Sequence, residues 1–78
     1  MTFTEHAICP VTDEAARRNV EITGDHEEFF CPSCGQFRLR RTALLVIGNY
    51  PMEDRKDFLR KAKRDAAPGA VPMVANIE

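Results

Sequence analysis

Tryptophan is absent, tyrosine occurs once, and the 78 residues include only three cysteines. Each shortage excludes something. An odd number of cysteines cannot close into a complete disulfide framework, and such frameworks belong to oxidising compartments. No apolar run approaches the roughly 20 residues that cross a bilayer, so a membrane-embedded function is not expected. The opening MTFTEHAICP has neither a basic start nor a long apolar core, so it does not read as a secretory signal. Together these absences lead to the expectation of a cytoplasmic protein. There is no glycine-rich phosphate loop and no nucleophile with an obvious base beside it. Neither enzymatic activity nor a small-molecule substrate is therefore expected.

What is present is an ordinary globular composition, 44% hydrophobic and 29% charged. A chain this short buries a limited fraction of its surface, and many such chains need a metal or a partner to stay folded. The net charge of −1 conceals an asymmetry. Residues 1–35 set seven acids against Arg17 and Arg18, a net of −5, whereas residues 36–65 set nine bases against four acids, a net of +5. The two blocks either complement each other within the fold or steer partners and self-association.

Patterning predicts a small α+β domain over 1–66, with antiparallel β-hairpins followed by one or two C-terminal helices. HAICP reads as a short apolar run ending in a turn. Residues 12–19 read as a loop or a single helical turn capped by Thr12 or Asp13. VEIT (20–23) alternates with β-branched residues, and EFFC (28–31) follows a GDHE turn, so the two read as a hairpin. QFRLR (36–40) alternates as a strand with one wet face, formed by Arg38 and Arg40. Thr42 reads as the cap of a compact helix that stops at Gly48. Pro51 fits the first turn of a second helix, with Glu53 and Asp54 at its positive end and Lys63 and Arg64 late. Residues 67–78 read as a flexible tail whose Val71, Met73, Val74 and Ile77 could pack on a partner.

The most specific stretch is CPSCG at 31–35. Such a turn points two sulfurs to one side, its proline and glycine help the backbone turn, and two of these turns make a tetrahedral metal cage. CPVTD at 9–13 begins in the same way, but Thr12 stands where a second cysteine would be. Cys-Pro-x-x, then about twenty residues, then Phe-x-Cys-Pro-x-Cys-Gly-x-Phe, then a strand and helices, resembles the zinc-ribbon family, specifically its small bacterial and phage members. The resemblance covers roughly residues 6–62. It implies that Cys9, Cys31 and Cys34 are three of four zinc ligands. His6 is the favoured fourth ligand because His-x-x-Cys places an imidazole near Cys9. Asp13, next to the vacant position, and His26 are the further candidates. His26 lies about five residues from Cys31, which is on the order of 15 Å along an extended strand. The other possibility is a metal-free site in which Thr12 hydrogen-bonds in place of a thiolate.

The expected role is a non-enzymatic binding or adaptor module acting through protein–protein contact, with a protein partner or a second copy. The alternative is nucleic-acid binding through the basic strand and helix, using Arg38, Arg40, Arg41, Arg60, Lys61 and Arg64 to neutralise phosphates. The mixed overall charge and the lack of aromatics among those bases weigh against that alternative.

Overall fold

Alternation of apolar and polar residues builds the core of the structure, a computed structural model that describes residues 3–20 and 24–75. Two hairpins come first. β1 (Thr4–Ile8) pairs antiparallel with β2 (Ala15–Asn19), and β3 (His26–Cys31) pairs antiparallel with β4 (Gly35–Arg40). β2 and β3 join the hairpins into one sheet, with Arg17 opposite Phe30 and Arg18 opposite Phe29. Then follow α1 (Arg41–Ile47), α2 (Met52–Asp65) and β5 (Met73–Val74), which lies parallel to β4 at the sheet's edge. The sheet order is β1-β2-β3-β4-β5. The chain is a small α+β protein with a mostly antiparallel five-stranded sheet and two helices, and no helix among the described residues is long and apolar enough to cross a membrane.

One sheet face carries the core. Phe29 and Phe37 face each other across β3 and β4 and stack with ring centroids 5.6 Å apart. Leu39, Ala43, Ile47, Leu59 and Val74 close over them, and Cys9, Val11, Cys31 and Cys34 belong to the same buried cluster. Ala43 and Ile47, four residues apart, form the inward stripe of α1. Leu59 is the buried anchor of α2, flanked by Phe58 and Ala62; the Phe58 ring meets Tyr50 edge to face at 5.1 Å. Toward the opposite end of this face, the apolar surface gives way to Arg18, which bridges the Glu5 and Glu27 carboxylates.

Three segments differ from the patterning. Residues 15–19, within the stretch expected as a loop or helical turn, form β2. AARRN has little intrinsic strand preference, but ladder pairing to β1 over the whole of Thr4–Ile8 overrides propensity. Of the strand expected at 20–23, Val20 lies past the end of β2 and the other three residues lie outside the described residues. The segment expected as a flexible tail returns to the sheet: the Arg38 amide donates to the Pro72 carbonyl at 2.8 Å, and Val74 is buried opposite Leu39. Residues 76–78, Ile77 among them, lie outside the described residues. Helix starts also shift slightly. Arg40 rather than Thr42 is the N-cap of α1, and Pro51 is the N-cap of α2.

The opposite face is mostly polar, and Glu28 gathers three donors on it. Glu28 accepts from Gln36 at 2.8 Å, from Asn19 at 3.2 Å and from the Arg38 guanidinium at 3.3 Å. Partial burial pushes the Glu28 carboxyl up, but these three donors outweigh it and hold the pKa below the ordinary value of 4.5. Because the folded value is the lower one, the stability Glu28 contributes is complete above 4.5 and is lost as pH falls through the depressed value. Glu28→Gln is therefore expected to flatten the acid limb of stability, read as urea midpoints on either side of that pH. Phe37→Ala, which empties a fully buried position, is expected to cost about 3–5 kcal/mol in the same assay.

Candidate metal centre

The two hairpin turns meet at one end of the core, and each delivers sulfur. In the first turn, the Cys9 amide donates to the Glu14 carbonyl at 2.8 Å and the Asp13 amide to the Cys9 carbonyl at 2.9 Å. Closing this loop puts Asp13 at φ 63, a left-handed conformation that aspartate tolerates better than most residues. In the second turn, Pro32, Ser33 and Cys34 connect Cys31 to Gly35, whose φ of 79 favours glycine. The backbone amides of Ser33 and Cys34 point at the Cys31 sulfur.

α2 holds both turns in place. Arg55 donates to the Pro10 carbonyl at 3.2 Å, to the Asp13 carboxylate at 3.1 Å and, back along its own chain, to the Tyr50 carbonyl at 3.0 Å. Two turns further along, the Lys63 ammonium donates to the Cys34 carbonyl at 2.6 Å. The first interaction fixes the Cys9 loop and the second fixes the Cys34 turn, so the facing sulfurs are positioned from a common rigid element.

The result is three buried thiols, with all sulfurs within 4.8 Å of one another. Cys9 Sγ lies 3.9 Å from Cys34 Sγ. Zinc–sulfur bonds of about 2.3 Å at tetrahedral angles require sulfurs about 3.8 Å apart, so this pair fits one edge of a zinc tetrahedron. Burial, the hydrogen bond the Cys34 thiol donates to Cys31 and the nearby sulfur charges push Cys34 up to about 12. Burial also pushes on Cys31, but the Cys34 and Ser33 amides, with Cys9 and Thr12, hold its pKa below the ordinary thiol value.

The expected fourth ligand is elsewhere. His6 is exposed and lies opposite Arg17, and strand alternation puts it on the face away from Ala7, which packs on the core cluster. A strand repeats every two residues, so positions three apart point to opposite faces. Asp13 is taken by Arg55, and His26 starts β3, at the far end from Cys31. None of the three belongs to the sulfur cluster. Thr12, the residue at the vacant position, has its hydroxyl 3.7 Å from Cys31 Sγ. The sequence reading assigns no role to Glu14, yet its Oε1 lies 3.6 Å from Cys31 Sγ. Thr12 donates to that oxygen at 2.7 Å, and Ser33 donates to Oε2 at 2.9 Å. The available signal was a carboxylate two residues past the missing cysteine.

Thr12, Glu14, Ser33 and Cys34 line a cleft of about 530 Å³ against α2, and Lys56, Arg60 and Lys63 line its other wall. Their spacing of four and then three residues places these bases on one helical face. Of the other bases proposed for nucleic acid, Arg38 and Arg40 are ion-paired on the sheet with Glu28 and Asp25 at 3.3 and 3.4 Å. Arg60 pairs with Asp57 at 2.6 Å and Arg64 with Asp65 at 3.6 Å, while Arg41 opens α1 and Lys61 is exposed on α2. No family model, no curated protein and no solved structure matches the chain.

Proposed function

We propose that the chain is a zinc-ribbon-like module in which Cys9, Cys31 and Cys34 hold a zinc ion as thiolates, and that it serves as a non-enzymatic protein-binding adaptor. The observation that carries the metal reading is the approach of three buried sulfurs from two separate turns, with the Cys9–Cys34 pair at tetrahedral edge length. Thiolate donors favour soft or borderline ions, and zinc imposes the tetrahedral geometry that this spacing suits. Amides aimed at Cys31 and an α2 clamp on both turns supply the supporting shell that such sites use. Metal binding then contributes directly to folding, which suits a chain with a small core.

Two observations favour a protein partner over nucleic acid. Arg38, Arg40, Arg60 and Arg64 all have acidic partners within the chain. Apolar side chains, by contrast, stand exposed: Leu45 at 78% on α1, and Phe3 and Ile8 along the β1 side of the sheet. An edge strand with apolar side chains at its ends suits strand addition or packing by another protein.

Elemental analysis of untagged protein is expected to give about one zinc per chain, with a chelator lowering the melting temperature. Cys31→Ser and Cys34→Ser should each lose the metal and melt like chelated wild type; mutants that keep the wild-type melt would refute a structural ion. Titration with a labelled oligonucleotide at low salt is expected to show no saturable binding. Salt-sensitive binding abolished by the triple change Arg60→Glu, Lys61→Glu and Arg64→Glu would move the bases to the nucleic-acid reading.

A further inference from the structure

The geometry points to Glu14 as the fourth ligand, making the site Cys₃Glu. This assignment rests on the zinc reading above and specifies its missing corner. A tetrahedral ion with a zinc–oxygen bond of about 2.1 Å and a zinc–sulfur bond of about 2.3 Å has an oxygen–sulfur edge of about 3.6 Å. Glu14 Oε1 lies 3.6 Å from Cys31 Sγ as the acceptor of that thiol, which supplies one of the three edges; the exposed carboxylate stands outside the group of three mutually close sulfurs and would have to close on Cys9 and Cys34 as the ion binds. The Thr12 hydroxyl, at 3.7 Å, has a similar reach, but it is neutral and its proton is already given to Glu14 Oε1. An anionic oxygen is the better donor to a divalent cation, and the hydroxyl's place is behind it.

The surroundings of the carboxylate support a ligand role. Metal-binding carboxylates are oriented by hydrogen bonds to their oxygens. Both Glu14 oxygens have such a bond, one from each turn: Thr12 from the first and Ser33 from the second. The residue that replaced the cysteine thus positions the side chain that takes over its function. The turn geometry reinforces this, because the Glu14 carbonyl accepts from the Cys9 amide and ties the two ligands through the backbone.

Charge balance agrees as well. Three thiolates, a carboxylate and a divalent ion leave two negative charges uncompensated. Lys56 and Lys63 line the cleft that Glu14 and Cys34 face, Arg60 between them being paired with Asp57, and Lys63 already contacts the Cys34 carbonyl. Bases at this position lower the cost of an anionic centre.

The test compares wild type, Glu14→Gln, Thr12→Cys and the double variant, each loaded with zinc and separately with cobalt(II). Zinc affinity is read by competition with a chromophoric chelator, and cobalt(II) absorption reports thiolate number and geometry. Wild type is expected to bind one tetrahedral cobalt with three thiolates. Glu14→Gln should weaken zinc at least about tenfold, the loss that even a supporting partner costs, and should alter the cobalt spectrum. Thr12→Cys should add a thiolate charge-transfer contribution and displace the carboxylate, so that Glu14→Gln in that background has little effect. That background dependence separates a ligand from a structural residue, whose loss would cost the same in both. Unchanged affinity and spectrum in Glu14→Gln would overturn the assignment while leaving the three-cysteine site intact. Failure of wild type to bind either ion would overturn both.

Discussion

Two chain turns have to converge and present sulfur to a common point, and the rest of the molecule is arranged around that demand. A hairpin turn alone can bring together only the sulfurs it carries. The first turn carries one, so the cluster exists only if both turns are held against each other. Arg55 and Lys63 do this from a single helix, one reaching the Pro10 carbonyl and the other the Cys34 carbonyl. Helix α2 is docked in turn by Leu59 and Phe58 on the Phe29–Phe37 stack and its neighbours. Core packing therefore controls the site geometry, and the site fastens the end of the core where the sheet runs out. The sulfurs also resist one another. Burial and the neighbouring sulfurs push the Cys34 thiol up to about 12, so Cys34 keeps its proton at neutral pH.

The charge asymmetry of the sequence is largely spent inside the fold. Acids from the first half meet bases from the second across β3 and β4, as Glu28 with Arg38 and Asp25 with Arg40, and across the turn–helix contact, as Asp13 with Arg55. Exposed pairs of this type add little stability individually. Their consequence is specificity of arrangement and a neutralised sheet face. A surface that had kept its bases unpaired would advertise itself to phosphates; this one shows pairs on the sheet, and Lys56 and Lys63 line the cleft beside the sulfur cluster.

Where the chain's local pattern agreed with its environment, the sequence was readable. β4 alternates and has one buried face, the Cys-Pro-Ser-Cys-Gly turn dictates its own geometry, and α2 carries its dipole charges in the expected places. β2 was opaque because Ala15–Asn19 has no strand chemistry of its own and is a strand only through its neighbour β1. β5 was opaque because two residues carry no period. His6 misled for a sharper reason: a spacing of three suits a turn or a helix, whereas on a strand it swaps faces. Glu14 was hidden because its relation to Cys31 crosses 17 residues and depends on closure of a turn whose hydrogen bonds no pattern announces.

These relations bear on how such a module would work with a partner. β1 is the outer strand of the sheet, and the chain passes from its end directly into Cys9, whose amide and carbonyl close the first turn. β5 occupies the opposite edge, bonded through Pro72 and packed by Val74, which leaves β1 as the longer outer strand. An edge strand can accept another chain only if its backbone is held straight and in register. The Cys9 turn sets where β1 ends and how it pairs with β2, so an ion at the cluster would brace the recognition edge from one end while Arg18, bound to Glu5 and Glu27, braces it from the other. In the proposed adaptor, a metal ion at the cluster would act mechanically, by fixing a strand edge, which is the property an adaptor requires.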